Sequence, residues 1–179
     1  MPIQGRLRTT PLEISARPLE PGDRAVCEKF DCGSEPWQEE VNRFVREIYW
    51  RGNRPPTEQT ILSFTDAREL HGFGTWKIRP DLKRLGQEPL TVIDIPYFGV
   101  QRQFHGARDS EGRSVAGRLY ATIEAVARMH PLATPDMLVH LVCDVRNETG
   151  FRFWQRQGFR MAEQLDFGRV SYWRMFRYP

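Results

Sequence analysis

Apolar and polar residues alternate near the start of the chain, where Leu12, Ile14 and Ala16 are interleaved with Glu13, Ser15 and Arg17. A period of two puts every second side chain on one face of an extended chain, which predicts a first strand. Pro18-Leu19-Glu20-Pro21-Gly22-Asp23 breaks it, and residues 24–30 suit a short helix or turn. From Glu35 to Trp50 the period lengthens: Trp37, Val41, Phe44, Val45 and Ile48 recur at helical spacing, with Glu39, Glu40, Arg43 and Glu47 opposite. This predicts an amphipathic helix and a core stripe of Trp37, Phe44 and Ile48, with Ser34 as N-cap and an exit at Gly52-Asn53. Thr60–Thr65 and Gly72–Ile78 read as a hairpin, and residues 79–89 as a polar connection.

The stretch that follows organises the rest. Val92-Ile93-Asp94-Ile95-Pro96-Tyr97-Phe98-Gly99-Val100 is an apolar strand in which Pro96 lacks a ladder donor, so a bulge is expected beside it. After Gly112 the period is helical again, through Val115, Ala116, Leu119, Ile123, Val126 and Ala127, until His130-Pro131. Met137–Val145 is an apolar strand, and Asn147 caps a short helix that carries Phe151 and Trp154 and stops at Gly158. Phe159–Leu165 and Val170–Arg177 form a closing hairpin. The order predicts one α/β domain over residues 1–179, a mixed sheet with helices on its faces. A strand that delivers a glycine-rich turn onto a helix N-terminus gathers unpaired N–H groups at the positive end of the helix dipole, which suits a phosphate.

Composition adds limits. The 179 residues carry a net charge of +3 and nearly all the basic ones are arginine, which favours an anionic ligand without requiring one. No apolar run approaches 18 residues and the start lacks the apolar core of a signal peptide, so a soluble cytoplasmic protein without a membrane partner is expected. Cys27, Cys32 and Cys143 are odd in number without metal spacing, and read as free buried thiols, Cys143 in the core. His71, His105, His130 and His140 show no ligand spacing, so no metal is predicted. His105 stands out because it lies in the expected phosphate loop.

Two segments carry a resemblance. Tyr97-Phe98-Gly99-Val100 through Ser114 resembles the central strand and pyrophosphate loop of the GCN5-related N-acetyltransferases (GNAT proteins). Asn147-x-x-Gly150-x-x-Phe153-Trp154-x-x-x-Gly158-Phe159 is similar to a second segment of that family. The resemblance implies a GNAT-like, splayed central sheet flanked by helices, with acetyl-CoA as co-substrate. It places the pantetheine arm against Phe98, Gly99 and Val100. The pyrophosphate falls on the loop of Gln103, His105, Gly106, Arg108, Gly112, Arg113 and Ser114, and Asn147 and Trp154 lie near the cofactor. Gln103-Phe104-His105-Gly106 follows the family pattern, whereas Arg108 replaces a small residue and Asp109 to Gly112 extend the loop. The closing strands of this family often meet a partner, which implies a possible homodimer.

Acyl transfer to an amine needs a base, a polarised carbonyl and a proton for the departing thiolate. Asp94 lies where some family members carry a catalytic carboxylate; it is either a general base or a carboxylate facing solvent or an arginine. The family's acidic tyrosine aligns with Trp154, whose indole is no proton donor at neutral pH. Tyr172, water or the amine itself remain for that role. The expected function is transfer of an acetyl group to a small-molecule, amino-acid or peptide amine by direct attack. Phe30-Asp31-Cys32-Gly33 also resembles a signature of GNAT toxins that acetylate aminoacyl-tRNA. Arg43, Arg46, Arg51 and Arg54 make tRNA a possible partner, and a catalytically weak acyl-CoA-binding protein is the third alternative.

Overall fold

The computed structural model describes residues 14–48, 58–65, 69–84 and 87–179. Among them, seven strands form one mixed sheet in the order β1-β2-β3-β4-β5-β7-β6. The strands are β1 (Ile14–Pro18), β2 (Glu58–Thr65), β3 (Leu70–Arg84), β4 (Gln87–Val100), β5 (Leu138–Asp144), β6 (Arg160–Phe167) and β7 (Val170–Arg177). The α-helices are α1 (Arg24–Glu28), α2 (Pro36–Arg46), α3 (Val115–Arg128) and α4 (Glu148–Arg156). Every neighbouring pair is antiparallel except β4–β5, because the crossover through α3 brings β5 back in the direction of β4.

Alternation along the strands builds two cores. Ile61, Ile93, Ile95, Val139 and Leu141 pack on α3 and α4 through Leu119, Ile123 and Trp154. The next residue along β2, Leu62, points the other way and joins Phe64 and Phe73 beneath Phe44, Val45 and Ile48. Of the expected stripe on α2, Phe44 and Ile48 are buried, whereas Trp37 is half-buried at the rim.

Several elements differ from the sequence expectation. Residues 79–89 are not a loose connection: β3 and β4 run through most of them as a paired arm, with Leu82 opposite Leu90. Leu82 and Val92 bury themselves with Phe176 there, while the charged residues and prolines between them conceal the period. Helix α2 is capped by Glu35 rather than Ser34, since Pro36 in the first turn holds its predecessor extended, and the Glu35 amide donates to Gln38 Oε1 at 3.0 Å. The helix ends at Arg46, and the expected exit at Gly52-Asn53, like Arg51 and Arg54, lies outside the described residues. Leu12 and Glu13 of the first strand lie outside them too.

Candidate active site

The ladder between β4 and β5 is short. It holds only Val92↔Leu138, Ile93↔Val139 and Asp94↔His140. Beyond that apex the strands separate: β4 stays paired with β3 as far as Gly72↔Val100, and β5 with β7 as far as Asp144↔Tyr172. Each therefore turns one edge of backbone N–H and C=O groups into a wedge-shaped gap. The register of β4 against β3 shifts between Lys77↔Asp94 and Thr75↔Tyr97, which places the expected irregularity at Ile95-Pro96.

On the α3 and α4 face the gap is walled by aromatic rings. Phe98 stacks on Phe153 at 5.6 Å and meets Trp154 edge-on at 5.0 Å. Trp154 also touches Tyr120 and Phe159. Asn147 holds this wall in place as N-cap of α4, its Oδ1 accepting from the Gly150 amide at 2.8 Å. Gly99 faces the opposite side, where a Cβ would come within 2.8 Å of Val41 and 3.2 Å of Phe30 and Phe73. Its lack of a side chain thus serves the approach of α1 and α2 to the sheet.

The loop from Gln101 to Ser114 closes the wide end of the gap. His105 Nε2 donates to the Val100 carbonyl at 2.9 Å, and Gln103 bonds Glu69, so both side chains fasten the loop to the sheet. Asp109 is its internal anchor, accepting from the Glu111 and Arg113 amides and from the guanidinium groups of Arg113 and Arg118. Burial alone would raise this carboxyl, but the Arg113 amide, the two guanidinium groups and the Glu111 amide outweigh it and hold it at about 2. The Gly112 amide donates to the Asp109 carbonyl, and Arg108 to the Gly112 carbonyl. Arg113 also pairs with Glu111. The Asp109 carbonyl thus occupies the Gly112 amide, and the loop's own acids occupy the Arg113 amide and side chain. Among the described residues the amides of Gly106, Arg108, Ser114 and Ala116 have no hydrogen-bond partner. Ser114 is the N-cap of α3, its Oγ accepting from the Gly117 amide at 3.0 Å. Gly106 has φ 75°, and nothing lies within 4 Å of where a Cβ would stand. Open amides at the start of a 14-residue helix fit a phosphate.

The face toward α1 and α2 is polar. Asp94 is buried at the apex, its Oδ1 2.7 Å from His140 Nδ1 and its Oδ2 3.8 Å from Lys77 Nζ and 3.9 Å from Arg79 Nη1. The strand pairing that creates this contact joins residues 46 apart in sequence, so no local motif announces it. His140 is the functional candidate that spacing missed; the available signal was one polar residue inside each of two apolar strands. Farther along β5, Asp144 takes a bidentate pair from Arg146 at 2.7 and 2.9 Å, and the Arg146 guanidinium lies over Trp37 at 5.5 Å. Tyr172 stands opposite Asp144. Burial raises its phenol above the usual range, with Glu40, Asp144 and Tyr97 acting the same way and Arg146 against them. Four residues of strand separate Tyr172 from the level of His140, about 13 Å by strand rise.

Phe30-Asp31-Cys32-Gly33 is a brace. The Asp31 carboxylate accepts from the Gly33 amide, the Cys32 amide donates to Asn42, and the Arg102 amide donates to the Asp31 carbonyl. Arg46 is spent on the Phe30 carbonyl. The thiols of Cys27, Cys32 and Cys143 are buried and free, and burial pushes each up to about 12. Among the described residues no group of three or more His, Cys, Asp or Glu is placed to hold a metal, and no helix is long and apolar enough to cross a membrane.

A mixed sheet parted after three parallel pairs, with a phosphate-ready loop at its wide end, is the fold of the GCN5-related N-acetyltransferases. Among the solved structures that share it, three illustrate the likeness. A putative GNAT acetyltransferase from Desulfovibrio desulfuricans aligns with TM-score 0.63 at 14% identity over 93% of this chain and 99% of its own. Arabidopsis thaliana NAA60, in complex with a bisubstrate analogue, gives 0.61 and 18% over 93% and 98%. The Vibrio cholerae spermidine/spermine N-acetyltransferase SpeG gives 0.60 and 14% over 93% and 92%. No family model and no curated protein matches the sequence.

Proposed function

We propose that this protein is an acetyl-CoA-dependent N-acyltransferase that passes the acetyl group directly to a primary amine of a small molecule, amino acid or peptide. The observation that carries the reading is the gap itself. Its open backbone edge runs from the apex at Asp94–His140 to the loop at Val100, about 20 Å by strand rise, and ends at four amides with no partner among the described residues. The fit of the residues to a phosphate-bearing thioester is good at both ends. The amides of Gly106, Arg108, Ser114 and Ala116 would hold the pyrophosphate, and the β4 edge from Ile95 to Val100 would hold the arm. Phe98 and Trp154 exclude water from one side. Arabidopsis NAA60, which shares the fold, has also been solved in complex with acetyl-CoA.

Bound acetyl-CoA supplies the activated acyl carbon. The chain supplies the rest: amides that fix the phosphates, a dry aromatic wall, and polar groups on the opposite face where an amine approaches. Trp154 in place of a tyrosine leaves the departing sulfur without an acid on α4, and Tyr172 lies away from the apex. The sulfur therefore takes its proton from the attacking amine.

The test is calorimetric titration with acetyl-CoA and with free CoA, followed by thiol release with polyamines, amino acids, peptides with free N-termini and aminoacyl-tRNA. Stoichiometric binding with amine-dependent release is expected. Gly106→Asp, which sets a carboxylate against the open amides, should weaken acetyl-CoA binding about tenfold, or about 1.4 kcal/mol. Unchanged affinity would move the phosphate site elsewhere. Binding without release for any amine would favour the acyl-CoA-binding protein, and release with charged tRNA alone the toxin-type enzyme.

A further inference from the structure

We propose that His140, positioned by Asp94, is the group that removes the proton from the acceptor amine. The inference rests on the acyltransferase reading above and adds to it the identity of the base.

Asp94 is committed. One carboxylate oxygen accepts from His140 and the other faces Lys77 and Arg79 of β3. Because a carboxylate only accepts, the 2.7 Å contact places a proton on Nδ1, so that in the neutral ring the lone pair is on Nε2. That Nε2 is buried and has no hydrogen-bond partner among the described residues. An orphaned polar atom in a core is costly and calls for a reason. Its surroundings offer no structural one: the Phe176 ring lies 5.2 Å from the imidazole on the β7 side, and Arg174 on the same face of β7 is directed to Glu163 of β6. The carboxylate fixes the ring and its tautomer, and the free nitrogen is a neutral base in a dry place.

Its position suits the reaction. Asp94↔His140 is the last pair before the strands part. An arm anchored by its phosphates at the loop and laid along β4 carries its acyl end toward that apex. The two residues lie on the α1 and α2 face, opposite the aromatic wall, and Val142, two residues farther along β5, is exposed. The step balances as follows. An N–H bond of the primary ammonium breaks and an Nε2–H bond forms. The freed nitrogen pair forms the C–N bond as the C–S bond breaks, and a second N–H proton passes to sulfur. His140 then releases its proton to water, one per turnover. Asp94 stays ionised throughout and acts as a positioning residue.

Two measurements test this. Nitrogen-15 NMR of the histidine rings in the wild-type protein should show His140 with a protonated Nδ1 and a bare Nε2; the reverse tautomer overturns the proposal. His140→Asn keeps an amide donor for Asp94 but removes the lone pair. It should lower kcat/KM for the best amine of the panel about 100-fold, with acetyl-CoA affinity within twofold of wild type. A folded His140→Asn protein with wild-type kcat/KM sinks the assignment while leaving the acyltransferase intact. If that variant does not fold, the wild-type protein decides. The acid limb of its kcat/KM profile must coincide with the titration of His140 followed by NMR, and a limb at another pH overturns the role. Asp94→Asn should lower kcat/KM and displace that limb, whereas a purely structural pair would leave the limb in place. A wild-type protein that releases no CoA with any amine removes the acyltransferase reading and this inference together.

Discussion

The two faces of the gap between β4 and β5 are built on opposite plans. Toward α3 and α4, Trp154 stands at the centre and meets Phe98, Tyr120, Phe153 and Phe159 edge to face. Toward α1 and α2 the same strands present Asp94, His140, Asp144 and Tyr172, and one nitrogen among them has no partner. Packing dominates the first face, and hydrogen bonding, incompletely satisfied, dominates the second. The first face therefore carries stability, and the second retains chemical potential that only another molecule can use.

The largest effect that sharpens this contrast is on the packed face. Trp154→Ala removes the ring that four other aromatic rings surround and should destabilise the fold by about 3–5 kcal/mol. For a chain of this length the melting temperature should fall by about 10 °C, read by a thermal scan. An unchanged midpoint would mean the wall is not structural. Next comes Gly99→Ala, on the opposite side of β4, where the new methyl meets Val41, Phe30 and Phe73. Overpacking there should cost about 1–3 kcal/mol in a denaturant titration, and a neutral result would show that α2 can shift to make room.

The smallest effect is at the rim of the polar face. Arg146→Ala removes the guanidinium that holds the Asp144 carboxyl below its usual range. A carboxyl held low stabilises the fold above its unfolded titration range, and that contribution fades as pH falls through the folded one. The variant should therefore melt about 2 °C lower at pH 7 and converge on the wild type in acid. Removing the same cation should raise the Tyr172 phenol further, visible in an ultraviolet titration. A stability difference that grows toward acid would reverse the assignment.

Most of the packed face could be read along the chain. Helical spacing from Val115 to Ala127 marks α3, and Asn147 with Gly158 brackets α4, because caps and amphipathic stripes are local signals. The β3–β4 arm could not, since Pro80, Pro89 and a run of charges interrupt its alternation while only Leu82, Leu90 and Val92 turn inward. The polar face was legible in part: Asp94 was conspicuous in an apolar strand, but its partner depends on a register set by the α3 crossover. Within the loop, glycine and arginine suggested an anion site. Which amides are open follows from Asp109, whose side chain folds back onto Arg113 and Arg118.

The three pairs that join β4 to β5 also govern how the chain assembles. On one side of them lies an antiparallel meander, β1 to β4, and on the other the ribbon β5, β7 and β6. Within these halves the hairpins β2–β3, β3–β4 and β6–β7 join neighbouring segments of chain, cheap in loop-closure entropy, whereas Ile14↔Thr65 and Val139↔Arg177 close longer loops. The seam between them closes across the whole of α3 and rests on very few backbone bonds. Assembly of the sheet thus requires the docking of these two halves. The catalytic pair proposed here comes into being at that docking and in neither half alone.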